Sequence, residues 1–428
     1  GAAKIERLIP GGPAERDGRL QPGDRIVAIS QDTAPVVDVL HWPLYKIVRL
    51  IRGEKGTRVV LTVWPAADIS GSVERQIDLI RDEVKLEERA ATGEIVEVAA
   101  PQDRSLRIGL LKLPEFYADF KGLRTNGDEA RRSSRDVRRI LENFRRENVD
   151  GVILDLRNNG GGSLPDAIEI AGLFIETGPV VQVRDEQRVQ VITDPDSEVV
   201  YSGPLLILVN RMSASASEIV AAALQDYRRA LVVGDRRTHG KGTVQTLLPL
   251  VRNNEKMGQL KVTTASFYRI AGGSTQLKGV EADIPVPSTL DALEVGEESL
   301  PHALPWTQVK PAFYAVFDQA VPAIDVLRTR SEERRAANPE FVQRDDLIKR
   351  IGDRIKSETI SLNLEERLRL ARTERELDRI QRDLEEDESS PRKPDAPGDL
   401  LQQEALRILA DMIAPEPEPE SDSASEAQ

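Results

Sequence analysis

Short apolar runs alternating with helix-length segments constrain this chain more than any other feature. Residues 205–209 and 230–233 are entirely Val, Leu, Ile and Ala, and residues 149–156 are a near-continuous apolar run. Runs of that length and composition read as strands buried on both faces. Residues 106–113 read as another strand. Between them, residues 133–148 carry Val137, Ile140, Leu141 and Phe144 at helical spacing. Residues 164–175 read as a second helix, and a third runs to about Tyr227. Strand–helix–strand units in series predict an α/β core with a mainly parallel sheet.

The sequence on either side is of a different kind. Residues 1–65 read as a small β-rich module. Ile5, Leu8 and Ile9 open a strand, Gly11-Gly12-Pro13 breaks it, and Pro22-Gly23-Asp24 is a turn. A strand at 25–29, helical spacing over 36–52 and a closing β-branched strand at 57–63 complete the module. Residues 66–290 hold the α/β core, its first forty charged and weakly patterned. Residues 291–390 are helix-rich and highly charged, with Leu364, Leu368, Ala371, Leu377, Ile380 and Leu384 near one face. A linker at 391–398, a helix at 400–413 and an acidic Pro-Glu tail with the composition of a disordered segment follow. The chain opens on Gly1-Ala2-Ala3, without an initiator methionine or signal peptide, and reads as a fragment or processed form.

Composition excludes several functions. Lys and Arg number 59 against 72 Asp and Glu, a net charge of −13, which argues against nucleic acid as a main partner. The absence of cysteine excludes disulfides, thiolate zinc sites and a cysteine nucleophile. No apolar run reaches the length of about 18 residues that a spanning helix requires. The three histidines, His41, His239 and His302, have no metal-ligand spacing, and neither a metal nor a cofactor is expected.

Two runs carry candidate chemistry. Ser213-Ala214-Ser215-Ala216-Ser217-Glu218 follows a buried strand and opens a helix. Ser215-Ala216-Ser217-Glu218 fits a capping box, which most such matches are. A serine there also stands at the carboxyl end of a parallel strand, where α/β proteins bind ligands. Ser213 and Ser217 are rivals on sequence alone. Gly240-Lys241-Gly242-Thr243-Val244-Gln245 sets a lysine between glycines. It is either a surface loop or the site of a general base. A phosphate loop fails on spacing, and Gly242 stands where that motif needs Ser or Thr. As a base, Lys241 must titrate roughly 3 pH units below its usual value of about 10.4, a demand of about 4 kcal/mol that burial can meet. Gln245, an even step of four along a strand, would share its face and hold the amine. Gly160-Gly161-Gly162 is either a loop needing positive φ or a source of backbone N–H groups for an oxyanion, paired with Ala216. His239 beside Arg236 and Arg237 reads as a solvated side chain rather than a triad member.

Together these runs resemble the C-terminal-processing, or tail-specific, serine proteases. The resemblance rests on residues 155–162, Ser213 to Glu218, Gln225-Asp226-Tyr227, Gly240 to Gln245, Phe267-Tyr268-Arg269 and Gly272-Gly273-Ser274-Thr275-Gln276. Ala303-Leu304-Pro305-Trp306 and the helical tail look like the longer bacterial periplasmic subgroup. The resemblance implies a crotonase-like core in which Ser215 is the nucleophile, Lys241 the base and Gln245 its orienter. Ala216 and one of Gly161 or Gly162 would supply oxyanion donors, and Asp226 would support the structure around the dyad. It further implies that residues 1–65 are a PDZ module, truncated at its start, that captures apolar C-termini of unfolded or tagged proteins. A periplasmic location and an adaptor protein are part of the same implication. Two departures stand out: residues 234–241 are one residue longer than the usual stretch, and His239 replaces a common aromatic. A PDZ scaffold with an inactive core and an acyl-CoA enzyme are the other readings.

Overall fold

The structure, a computed structural model, describes residues 2–6, 8–9, 12–32, 34–68, 71–82, 90–100, 104–119, 130–250, 258–293, 295–317, 324–356, 362–368, 371, 375 and 399–414. These fall into two compact units, one within Gly1–Glu88 and Glu374–Ala396 and one within Arg89–Thr373 and Pro397–Gln428.

The first unit is built from β1 (Ala3–Lys4), α1 (Pro13–Asp17), β2 (Arg25–Gln31), β3 (Val37–Asp38), α2 (Leu44–Ile51), β4 (Arg58–Trp64) and β5 (Arg75–Ile80). The strands form one antiparallel sheet in the order β1-β2-β4-β5, with β3 paired to β2. Ile26, Ile29, Leu61, Val63 and Ile77 pack under Val39 and Ile47. The helix expected over 36–52 begins only at Leu44. Pro43 disfavours helical backbone in the residue before it, and the β-branched Val37 pairs with Ile29 instead. The sheet also continues past residue 65 to take in β5.

The second unit holds the apolar runs. Its strands are β6 (Thr92–Ala100), β7 (Arg104–Lys112), β8 (Gly151–Asp155), β9 (Gly178–Arg184), β10 (Val189–Asp194), β11 (Leu205–Val209), β12 (Leu231–Gly234), β13 (Thr243–Pro249), β14 (Gln259–Tyr268) and β15 (Ile284–Pro285). Its helices are α3 (Ser133–Arg146), α4 (Leu164–Gly172), α5 (Ala216–Asp226), α6 (Ile324–Ala337), α7 (Pro339–Lys356) and α8 (Leu400–Ile413). The central sheet runs β15-β12-β11-β8-β7-β6, parallel throughout except for the β6–β7 pair. A second sheet, β10-β9-β14-β13, is wholly antiparallel and has no counterpart in the sequence reading.

The strand runs are continuous in apolar residues because both faces of the sheet are covered. Val152, Leu154, Leu205, Ile207 and Val209 point to α3, α4 and α5, where they meet Leu141, Phe144, Ile170, Val220 and Leu224. Their neighbours Ile153, Leu206 and Leu208 point the other way, against Leu327, Phe341, Leu401, Ala405, Ile408 and Leu409, as strand alternation dictates. The helix at 400–413 is therefore part of the core's second face. Leu364 and Leu368 are exposed. Leu377, Ile380, Leu384, the linker at 391–398 and the tail beyond residue 414 lie outside the described residues.

Candidate active site

β11 ends at Val209, and a tight loop turns the chain into α5. The turn places Ser215 at φ 58° and ψ −110°, a sparsely populated backbone for a residue with a Cβ. The three serines are thereby separated. Ser213 is fully buried and donates to the Leu156 carbonyl at 2.8 Å. Ser217 is fully buried and donates to the Asn159 carbonyl at 2.8 Å. The Ser215 hydroxyl is half-buried and donates to no acceptor among the described residues.

Asn159 is the strut of this turn. Its carbonyl also accepts the Ala214 N–H at 2.9 Å, and its side chain donates to the Leu113 carbonyl at 2.7 Å. Gly161 lies directly against the serine: a Cβ at that position would stand 2.7 Å from the Ser215 Cβ and 3.0 Å from the Ala216 nitrogen, and its φ is +102°. Only glycine fits. The Gly161 N–H is spent on Asn159 Oδ1 at 2.9 Å. The N–H groups of Gly162 and Ala216 have no acceptor among the described residues.

The lysine loop is packed beside the serine turn by one carboxylate. Glu218 is fully buried. Its Oε2 accepts the Ser215 N–H at 2.7 Å and the Lys241 N–H at 3.1 Å. Its Oε1 accepts the Thr238 hydroxyl and the Gly240 N–H, both at 2.7 Å. One oxygen thus touches the backbone of both residues. Burial pushes the Glu218 carboxyl up to about 7, against the pull of its four donors. Sequence reasoning saw only the capping role. The available signal was an acid set in an otherwise apolar helix, a group that is not buried without partners.

Lys241 is half-buried, and its amine donates to Gln245 Oε1 at 3.4 Å. The predicted contact is present by a different route: Lys241 precedes β13, and the register shifts between Val244 and Gln245. The amine makes no hydrogen bond to Ser215 among the described residues. Burial lowers its affinity for the proton, Lys261 adds to the effect, and Glu297 and Glu218 oppose it. The loop that follows Gly272 clamps the lysine's backbone. Thr275 donates to the Lys241 carbonyl at 2.7 Å, and Gln276 Oε1 accepts the Gly242 N–H at 2.8 Å. His239 is not solvated as expected. It is partly buried, burial holds it below the usual imidazole range, and Nδ1 faces Glu297 Oε2 at 3.9 Å.

Asp226 lies at the far end of α5, eleven residues or about 16 Å along the helix from Ser215. It accepts from Arg269 Nη2 at 2.6 Å and from the Ala271 N–H at 3.3 Å. Gln225 accepts from the same guanidinium at 2.8 Å. The motifs at 225–227 and 267–269 therefore meet as one structural tie. Trp306 donates to the Ser274 carbonyl at 2.8 Å, joining residues 303–306 to the loop that holds Lys241.

Three stretches of the chain match known protein families. Residues 4–65 match the PDZ domain, residues 107–286 match peptidase family S41, and residues 290–414 match the C-terminal domain of tail specific protease. The chain is 38% identical to a tail-specific protease of Haemophilus influenzae, over 96% of this chain and 58% of that protein. It is 34% identical to a chloroplastic carboxyl-terminal-processing peptidase 2 of Arabidopsis thaliana, over 65% of this chain and 49% of that one. It thus spans about half the length of the curated relatives it matches. Among solved structures, a photosystem II D1 C-terminal processing protease is 29% identical, with a TM-score of 0.41 over 66% of this chain and 68% of that one. From its start to residue 414 the chain thus carries, in order, matches to the PDZ domain, to peptidase family S41 and to the C-terminal domain of tail specific protease. No described helix is long and apolar enough to cross a membrane.

Proposed function

We propose that this protein is a serine endopeptidase that cuts unfolded or tagged proteins bearing apolar C-termini. Lys241, uncharged, takes the proton from Ser215 Oγ as that oxygen attacks the scissile carbonyl. The carbonyl oxygen becomes an oxyanion held by N–H donors. Ala216 and Gly162 are the better pair, since the Gly161 N–H is committed elsewhere. Lys241 returns the proton to the departing amine, and the acyl group stays on Ser215. The Lys241 amine then takes a proton from a water as it attacks the Ser215 ester, and passes that proton to Ser215 Oγ as the C–Oγ bond breaks and the new carboxylate leaves. Gln245 orients the amine, and no cofactor enters.

The observation that carries this reading is the Glu218 carboxylate, whose single Oε2 accepts both the Ser215 and the Lys241 N–H groups. Two backbone N–H groups held by one oxygen bring the chain at Ser215 and at Lys241 together, which supports pairing their side chains. The PDZ domain would receive the substrate's C-terminus as an added strand. A periplasmic location and an adaptor fit the same family reading.

A second reading is a peptide-binding scaffold with an idle core. It is favoured by the amine's donation to Gln245 rather than to Ser215. Labelling with a fluorophosphonate separates the two. The dyad predicts covalent labelling at Ser215 that is abolished in Lys241→Ala while thermal unfolding is unchanged. A wild type that does not label supports the scaffold, and a mutant that labels at the wild-type rate rules out Lys241 as base.

A further inference from the structure

Residues 295–298 lie outside the stretch that matches the peptidase family and inside the stretch that matches the C-terminal domain. They nevertheless reach the loop that carries Lys241. Buried Arg211, four residues before Ser215, pins this segment: its guanidinium donates to the Val295 carbonyl and to the Glu298 carboxylate, and Arg237 reaches the same Glu298 oxygen at 2.8 Å.

Glu297 is the residue so delivered, and it grips the lysine loop on both sides. On the near side, its N–H donates to the His239 carbonyl at 3.0 Å, and its Oε2 faces His239 Nδ1. On the far side, its Oε1 accepts the Gln276 amide at 3.1 Å. With its N–H group turned to Glu297 and to the Leu304 carbonyl at 3.2 Å, Gln276 presents its oxygen to the Gly242 N–H. Residues 239 and 242 bracket Lys241. Glu297 is buried, so a carboxylate has been brought to this loop at a desolvation cost that uncharged residues would avoid.

We infer that Glu297, supplied by the C-terminal domain, is a positioning residue for the proposed general base: it fixes the Lys241 loop through His239 and Gln276 and sets the electrostatic field at the amine. The inference rests on the dyad reading above. The field has a definite sign. The charged groups acting on the amine are Lys261 on β14, Glu218 on α5 and Glu297, with His239, which burial holds below the usual imidazole range, beside them. Lys261 and burial favour the free amine, and the two carboxylates favour the charged form. Removing the Glu297 charge therefore releases the proton at lower pH.

The test uses the full chain and the rate of fluorophosphonate labelling at Ser215 from pH 5 to 9. Glu297→Gln keeps an oxygen for Gln276 and loses the charge. Its acid limb, along which labelling rises with pH, is expected at lower pH than in the wild type. Glu297→Ala loses the grip as well and is expected to label roughly ten- to a hundredfold more slowly at every pH, as for a misplaced catalytic group. The glutamine variant should restore most of that rate. A residue serving only to hold the fold would slow labelling without moving the limb. Should the alanine variant fail to fold, the limb of the glutamine variant decides. An unmoved limb in Glu297→Gln overturns the inference. Lys241→Ala, labelled in parallel, keeps the two ideas apart: if it still labels, the dyad reading has failed, and if it is silent while Glu297→Gln matches wild type, only this inference has.

Discussion

At Ser215 the backbone is held in a conformation that a residue with a Cβ avoids, and Glu218 is the group that holds it. Four donors from two segments converge on that carboxylate, each worth about 1–3 kcal/mol if left buried without an acceptor. The acid has a cost of its own. Its folded-state value of about 7 stands above the ordinary 4.5, so between those two values the folded protein holds a proton that the unfolded chain releases. Its contribution to stability is whole below pH 4.5 and is lost as pH rises to about 7. Glu218→Gln should therefore be less stable throughout, by roughly 2–4 kcal/mol, yet show a flatter dependence on pH across that window. Urea unfolding midpoints from pH 4 to 8 measure this, and a slope equal to that of the wild type would contradict it.

At the scale of elements, α5 is tied at both ends. Its first turn carries Glu218, and its last residue, Asp226, holds Arg269 where the chain leaves β14. Asp226→Ala leaves Arg269 with the Gln225 amide and Ala271 without its acceptor. The Asp226 side chain is 8% exposed and that of Arg269 21%, a partly buried pair, so the loss is about 2–3 kcal/mol. A drop in the denaturation midpoint with an unchanged slope is the expected result. Motifs that lie 43 and 44 residues apart in sequence, Gln225-Asp226 and Arg269, are thus halves of one contact. Their separate presence was legible in the chain, but their meeting was not. Spacing along one element reports which face is buried and says nothing of which other element supplies a partner.

At the scale of the second unit, the C-terminal helices close the central sheet. α8 places Leu401, Ala405, Ile408 and Leu409 against β8 and β11. Arg157, in the loop after β8, pairs with Asp399 at the start of that helix at 2.6 Å, and buried Glu404 pairs with Arg334 of α6 at 2.7 Å. Leu409→Ala should cost about 2–5 kcal/mol, the usual range for emptying such a site, and lower the unfolding temperature of the core. An unchanged transition would mean that α8 is dispensable to the sheet. Continuity of the apolar runs at 149–156 and 205–209 announced that both faces were covered. It could not say that the second cover comes from residues 400–413.

The amino-acid pattern by itself determined four strands of the central sheet, the three helices between and after them, and the types of residue at their loops. Burial leaves a period of two or of 3.6 in the chain, and tight turns leave glycines. Only the tertiary structure decided which two of the three serines spend their hydroxyl protons on carbonyls, that the Gly161 N–H is already spent, and that Glu218 and Glu297 both reach the Lys241 loop. Those outcomes depend on hydrogen bonds between segments distant in sequence, and a donor's partner across such a distance leaves no periodic mark on the chain that carries it.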